Sequence, residues 1–377
     1  MDDNKKIPLA IPHMSGNEEI YIERAFKQNW IAPLGPNVDL FENRLGMYNQ
    51  AHVAATSSGT AAIHLALTLL GVTEGDYVIC STFTFAASIN PALYLGAHPI
   101  FIDSEAETMN MSPEALELAL QDCQRKGIQP KAIILVHLYG HSAKMDEIMA
   151  LANYYQVPII EDAAESLGSE YKGQKLGTLG EIGIFSFNGN KIITTSGGGA
   201  LVSKNKNYVE KAKFLASQSK ENAPYYLHQE VGYNYRLSNV LAGIGIAQLE
   251  VLEERIQKKR LIFEHYQQAF ENFPQIEMKQ EPQNTRSNYW LSIMLLNHGK
   301  SPQYIIEQLN EQGIEARRLW NPMHCQPLFQ NAPIYTESTE NIAEKLFNTG
   351  ICLPSGTNMS EEELAYIEKQ ISKIIEK

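Results

Sequence analysis

The sequence predicts an α/β protein: a mostly parallel sheet of seven strands with helices on both faces, then a smaller α+β C-terminal domain. Three observations carry this. Short apolar runs alternate with helical patterns from His52 to Ser203, the signature of a covered parallel sheet. The rhythm stops after Val202. The 377 residues are also enough for a large core and a second domain. The expected division is an N-terminal arm at 1–15, a large domain at 16–250 and a small one at 251–377.

Pro8 and Pro12 block helix in the arm. Gly16 to Asn29 reads as a helix, and so does Asp39 to Tyr48 after the proline-containing loop IAPLGPN. The seven strands are His52–Thr56, Tyr77–Cys80, Pro99–Asp103, Ala132–His137, Pro158–Glu161, Ile182–Phe187 and Ala200–Ser203. Helical patterns at Ala61–Leu70, Ala86–Leu95, Pro113–Lys126 and Lys144–Tyr155 separate several of them. Beyond lie a helix at Asn207–Ser217, a polar aromatic loop at Lys220–Tyr235 and a long, kinked helix from Ser238 past Tyr266. A strand near Asn288–Leu295 and helices at Pro302–Gln312 and from Ser360 complete the chain.

Composition excludes several classes. No run of about eighteen apolar residues exists, so no membrane span is expected. The N-terminus lacks an apolar signal core. Cys80, Cys123, Cys325 and Cys352 are scattered without a CxxC pair, which suggests a reducing, cytoplasmic setting and neither a zinc site nor a disulfide framework. A net charge of −12 disfavours nucleic acid as a main partner.

In such sheets ligands sit at the carboxyl ends of the strands, and the chemistry gathers there. Ser58, Gly59 and Thr60 open an apolar helix, where free N–H groups and the helix dipole attract an anion; an ordinary cap is the plainer reading. His64, inside that helix, reads as a core residue. Phe83 and Phe85 point the same way if extended, and one could stack on a flat ring or simply fill the core. Asp162 ends a strand, where a carboxylate is costly unless paired or used; it suits a protonated ring nitrogen or caps a turn. Glu165 follows one helical turn later, while Glu161 faces the other side. Ser186 offers a hydroxyl near its strand end. Lys191 follows the tight turn Asn188–Asn190, ahead of Gly197–Gly199. A lysine partly out of water can attack a carbonyl and form a Schiff base. Phosphate, ring face, ring nitrogen and aldehyde thus each find a partner on successive strand ends, and pyridoxal 5′-phosphate needs all four.

The stretches SSGTAAIHLAL, TFTFAAS, EDAAESLGS, FSFNGNKIITTSGGGALV and GYNYRLSNVLAGIGIAQLE resemble the sugar aminotransferases of fold type I over nearly the whole chain. EARRLWNPMHCQPLF and GICLPSGTNMS look like the branch that makes UDP-N-acetylbacillosamine precursors. The resemblance implies a fold type I, pyridoxal-phosphate-dependent enzyme of the aspartate-aminotransferase kind. Lys191 would carry the cofactor and move the proton, Asp162 would pair with the ring nitrogen, and Phe85 would stack on the ring. Ser58, Gly59, Thr60 and Ser186 would hold the phosphate. Glu165 would lie near the ring hydroxyl. Asn234 would reach the neighbouring subunit's cofactor, making the active unit a homodimer with shared sites. L-glutamate would donate the amino group to C4 of a UDP-2-acetamido-4-keto-2,6-dideoxyhexose in a ping-pong cycle. Arg236 and His324 are favoured over Arg317 and Arg318 for the UDP group.

Three alternatives accompany this. Amination at C3 or C4 of a dTDP- or GDP-keto sugar fits the same cofactor motifs. A sugar dehydratase conflicts with Lys191, because those relatives carry histidine there. A regulatory relative would need a DNA-binding segment, for which the arm before Gly16 is too short.

Overall fold

The computed structural model describes residues 6–376; residues 1–5 of the expected arm lie outside the described residues. The seven expected strands form one sheet in the order His52–Thr56, Gly199–Ser203, Ile182–Ser186, Ile159–Asp162, Ala132–Val136, Tyr77–Ser81 and His98–Ile102. Gly199–Ser203 runs antiparallel to both neighbours, and the pairings from Ile182–Ser186 onward are parallel. The expectation of seven needs one correction. The pair Ile334–Tyr335 adds an eighth strand, parallel to His98–Ile102. Two residues after a proline carry no periodicity, so only the fold reveals them.

Side-chain alternation explains the two covered faces. Ile133 and Leu135 join one core layer with the helices Pro113–Arg125 and Met145–Tyr155. Ile134, one residue out of phase, joins the other layer with the helices Gly59–Leu69 and Lys206–Ala216. All five residues of Ala132–Val136 are buried, as a strand covered on both sides requires. Helix starts follow their caps: Ser58, Ser112 and Ser238 accept from Ala61, Ala115 and Leu241 N–H respectively.

The expected helix at Ala86–Leu95 divides into a 3₁₀ turn at Ala86–Ser88 and a short helix at Asn90–Tyr94, with Pro91 in the first turn of the latter. The long helix breaks at Val251 into Asn239–Glu250 and Leu252–Phe270. Beyond it, Ile276–Met278, Ser292–Leu296, Gly350–Leu353 and Arg317–Arg318 form an antiparallel sheet. Helices at Leu252–Phe270, Pro302–Glu311 and Glu361–Glu376 pack on it. The arm joins this body: Ile7 is buried in its core, and Leu9 N–H donates to Glu315 Oε2 at 2.9 Å. Val136 at a strand end, with Phe83 and Tyr139 just past the strands that precede them, meets Trp290, Leu291 and Leu319 in a shared cluster.

Candidate active site

A cavity of about 510 Å³ opens at the carboxyl ends of the parallel strands. Ser58, Gly59, Thr60, Phe85, Asp162, Glu165, Ser186 and Lys191 all line it. A second cavity, about 550 Å³, lies at the outer sheet edge under Pro327–Pro333. It contains none of these groups, so size alone does not choose the site.

Lys191 is fixed by the turn before it and by an aromatic from the C-terminal part. Its N–H donates to Asn188 O at 3.0 Å. Its Nζ lies 3.6 Å from Glu165 Oε1 and 4.2 Å from the Trp290 ring centroid, and its side chain is 13% exposed. The amine therefore faces the Glu165 carboxyl and the π face of Trp290. Trp290 is held in turn by its indole N–H, which donates to Asn190 O at 2.8 Å.

Glu165 Oε2 accepts from Tyr139 N–H at 2.7 Å, where the Tyr139 backbone is left-handed, φ 54°. Burial raises the Glu165 carboxyl above its ordinary pKa, and the Lys191 charge only partly offsets this. Asp162 is held differently. Ser88 Oγ donates to its Oδ2 at 2.7 Å and Ala164 N–H donates to Oδ1 at 3.2 Å. Thr84 Oγ1 lies 2.7 Å from Ser88 Oγ and continues the chain of hydroxyls. Glu161 faces away: His137 Nε2 is 2.9 Å from its Oε2, and Gly177, Leu179 and Gly180 N–H groups donate to it. Burial pushes its pKa up, but these partners outweigh burial and leave it lowered.

At the helix start, the backbone is closely packed. A Cβ on Gly59 would stand 3.2 Å from Ser186 Cβ, and one on Gly199 only 2.4 Å from Gly59 N. The strand end and the helix N-terminus thus touch through glycine alone. His64 is a packed residue, 3.2 Å from the Tyr235 hydroxyl and in ring contact with Tyr233.

Phe85 is 54% exposed and tilts against Trp320 at 5.2 Å between centroids. It is a cavity wall and not a core residue. Three expected residues lie elsewhere. Arg236 Nη1 pairs with buried Glu42 at 2.7 Å, which occupies the charge intended for a ligand. His324 Nδ1 lies 2.7 Å from Thr82 Oγ1, outside the lining. Asn234 is exposed and outside this chain's cavity. Arg317 instead lines the cavity, bonded to Glu315 at 2.6 Å, together with Trp320. The unforeseen participants are Ser88, Tyr139, Trp290 and Trp320. Ser88 stands inside the quoted TFTFAAS run, but Trp290 sits in an apolar run that reads as core.

A lysine amine, a hydroxyl-held carboxylate and a helix N-terminus converging at parallel strand ends define an enzyme built around a carbonyl-bearing, anionic ring compound. The chain belongs to the DegT/DnrJ/EryC1/StrS aminotransferase family, whose model matches residues 12–372. It is 58% identical to EpsN of Bacillus subtilis (strain 168), over 96% of this chain and 93% of that one. It is 37% identical to GDP-perosamine synthase of Escherichia coli O157:H7, over 98% of each. Against UDP-4-amino-4,6-dideoxy-N-acetyl-beta-L-altrosamine transaminase of Campylobacter jejuni (subsp. jejuni serotype O:23/36, strain 81-176), identity is 33% over 91% of each. Among solved structures, Spr1654 of Streptococcus pneumoniae in its PLP form superposes with a TM-score of 0.90 at 26% identity, over 99% of each chain. Among the described residues, no helix is long and apolar enough to cross a membrane.

Proposed function

We propose that this chain is a pyridoxal-phosphate-dependent aminotransferase that moves an amino group from L-glutamate to C4 of a nucleotide-linked 4-keto-6-deoxy sugar. One observation carries the reading: Lys191 and Asp162 line a single cavity that opens on the Ser58–Thr60 helix start. These groups fit the cofactor in chemical type, with an amine for its aldehyde, a carboxylate for its ring nitrogen and N–H groups for its phosphate. When bound, pyridoxal phosphate supplies an electron sink for the carbon that loses its proton.

The chain supplies the rest. Lys191 would hold the cofactor through Nζ, and the same Nζ would take and return the proton at the substrate carbon. Asp162, oriented by Ser88 and Ala164, would pair with the ring nitrogen and favour its protonated form. Ser186 and the helix start would hold the phosphate, Glu165 would lie towards the ring hydroxyl, and Phe85 would stack on the ring. Both half-reactions use one site, so the kinetics are ping-pong.

We assign the sugar as a UDP-2-acetamido-4-keto-2,6-dideoxyhexose, supported by the similarity to the UDP-sugar transaminase. A GDP-linked 4-keto sugar is the second reading, favoured by 37% identity to a GDP-perosamine synthase. Exposed Asn234, outside the lining of its own chain's cavity, supports a role in a partner's site and hence a homodimer. The division at residues 250 and 251 belongs to the same reading: the break at Val251 supports it, while Ile334–Tyr335 crosses back to the large sheet. Incubating the enzyme with L-glutamate and UDP-, GDP- and dTDP-4-keto sugars separates the readings. Mass spectrometry and NMR should show a 4-amino UDP-sugar; a product only from a GDP-sugar would overturn the nucleotide assignment.

A further inference from the structure

Next to the cavity wall, the fold brings Glu344 against the adjacent pair His324 and Cys325, three side chains of metal-ligating type. His324, Cys325 and Glu344 place one donor atom each within 4.8 Å of one another, the one such group among the described residues. His324 Nε2 lies 3.2 Å from Glu344 Oε1 and 3.4 Å from Cys325 Sγ. A tetrahedral zinc ion with ordinary bond lengths separates a nitrogen from an oxygen ligand by about 3.3 Å and from a sulfur ligand by about 3.6 Å. Both separations are compatible with a shared ion, and the third pair of donors lies within 4.8 Å. We propose that His324, Cys325 and Glu344 form a binding site for a zinc-class divalent cation with an open fourth position.

The surroundings suit that role. Asn341 Oδ1 caps its helix by accepting from Glu344 N–H at 2.9 Å, so its NH₂ faces His324 Nε2 at 3.3 Å. His324 Nδ1 lies 2.7 Å from Thr82 Oγ1, the kind of second hydrogen bond that orients a ligating imidazole. Cys325 is exposed, whereas Cys80, Cys123 and Cys352 are buried. The thiolate, imidazole and carboxylate set favours zinc over calcium or magnesium.

The site also has leverage on the cavity. Met323 N–H donates to Thr82 O at 2.8 Å, and Thr82 begins the segment that carries Phe85. Glu344 belongs to the helix Ile342–Thr349. A bound ion therefore ties that helix to the wall bearing Phe85 and Trp320. The proposal does not rest on the aminotransferase reading.

The test titrates chelator-stripped holoenzyme with ZnCl₂ by isothermal calorimetry. One ion per chain should bind, and Cys325→Ser and Glu344→Gln should each weaken it at least about tenfold. Glu340→Gln, a neighbouring exposed carboxylate outside the group, should leave affinity unchanged. Loading with Co²⁺ adds a readout that surface carboxylates cannot give: a thiolate-to-cobalt charge-transfer band, present in wild type and absent in Cys325→Ser. Because these side chains lie at the surface, the variants should fold, and circular dichroism checks that. Absence of saturable one-per-chain binding, or equal affinity in both variants and wild type, overturns the site.

Discussion

Lys191 sits between a carboxylate and an indole face, and each neighbour gives a prediction. Borohydride treatment of the holoenzyme followed by peptide mapping should fix the pyridoxyl mass on the Lys191 peptide. Lys191→Ala should lose at least about a hundredfold in turnover. A pyridoxyl mass on any other lysine would remove Lys191 from the role. Ser88→Ala leaves Asp162 Oδ2 without its hydroxyl donor. One lost hydrogen bond to a charged group should weaken cofactor binding by at least about tenfold, read by fluorescence titration. Unchanged affinity would mean that Ser88 does not position Asp162. Glu165 carries a pH signature. Its folded pKa is raised by burial, so the folded state keeps a proton that the unfolded chain has lost. Its contribution to stability is therefore present at low pH and is lost as pH rises from the ordinary carboxylate range through the raised value. Thermal melts of cofactor-free Glu165→Gln and wild type should diverge across that window, with wild type losing ground as pH rises.

At the scale of elements, the strand Gly199–Ser203 and the helix Gly59–Leu69 meet through a contact with no room for a side chain. Gly199→Ala would push a methyl into Gly59 N and the Ser58 carbonyl. The helix start must shift, at a cost of about 1–3 kcal/mol. The fold should survive while phosphate-dependent cofactor retention falls, measured by cofactor content after dialysis. Full retention would show that the helix start does not set the phosphate site. The sequence displayed the glycines and the hydroxyls, but not that they touch. The two positions lie far apart in the chain, and only the antiparallel pairing of Gly199–Ser203 with His52–Thr56 brings them together.

Across the whole molecule, the cavity depends on how the C-terminal part docks. Fully buried Lys259 donates to Trp290 O and Ser355 O, each at 2.8 Å, and so braces the residue beneath Lys191. Burial lowers its pKa to about 7, against about 10.4 in an unfolded chain. Between these values the unfolded state holds more protons, so stability should rise with pH there, by at most about 1.4 kcal/mol per unit. Lys259→Met should lack that rise in denaturant unfolding, and parallel pH curves for the two proteins would refute it. The sequence by itself determined the seven strands, the order of chemical groups along their ends and, through resemblance, the family. Those signals are local: apolar period, turn residues and strand termini are written within a few positions of one another. Only the tertiary structure decided that Arg236 is neutralised by Glu42, that Trp290 and Arg317 close the cavity, and that Glu344 meets His324 and Cys325. Each of these pairings joins residues far apart in the chain, and no local pattern encodes which distant surface a side chain will face once the two sheets pack.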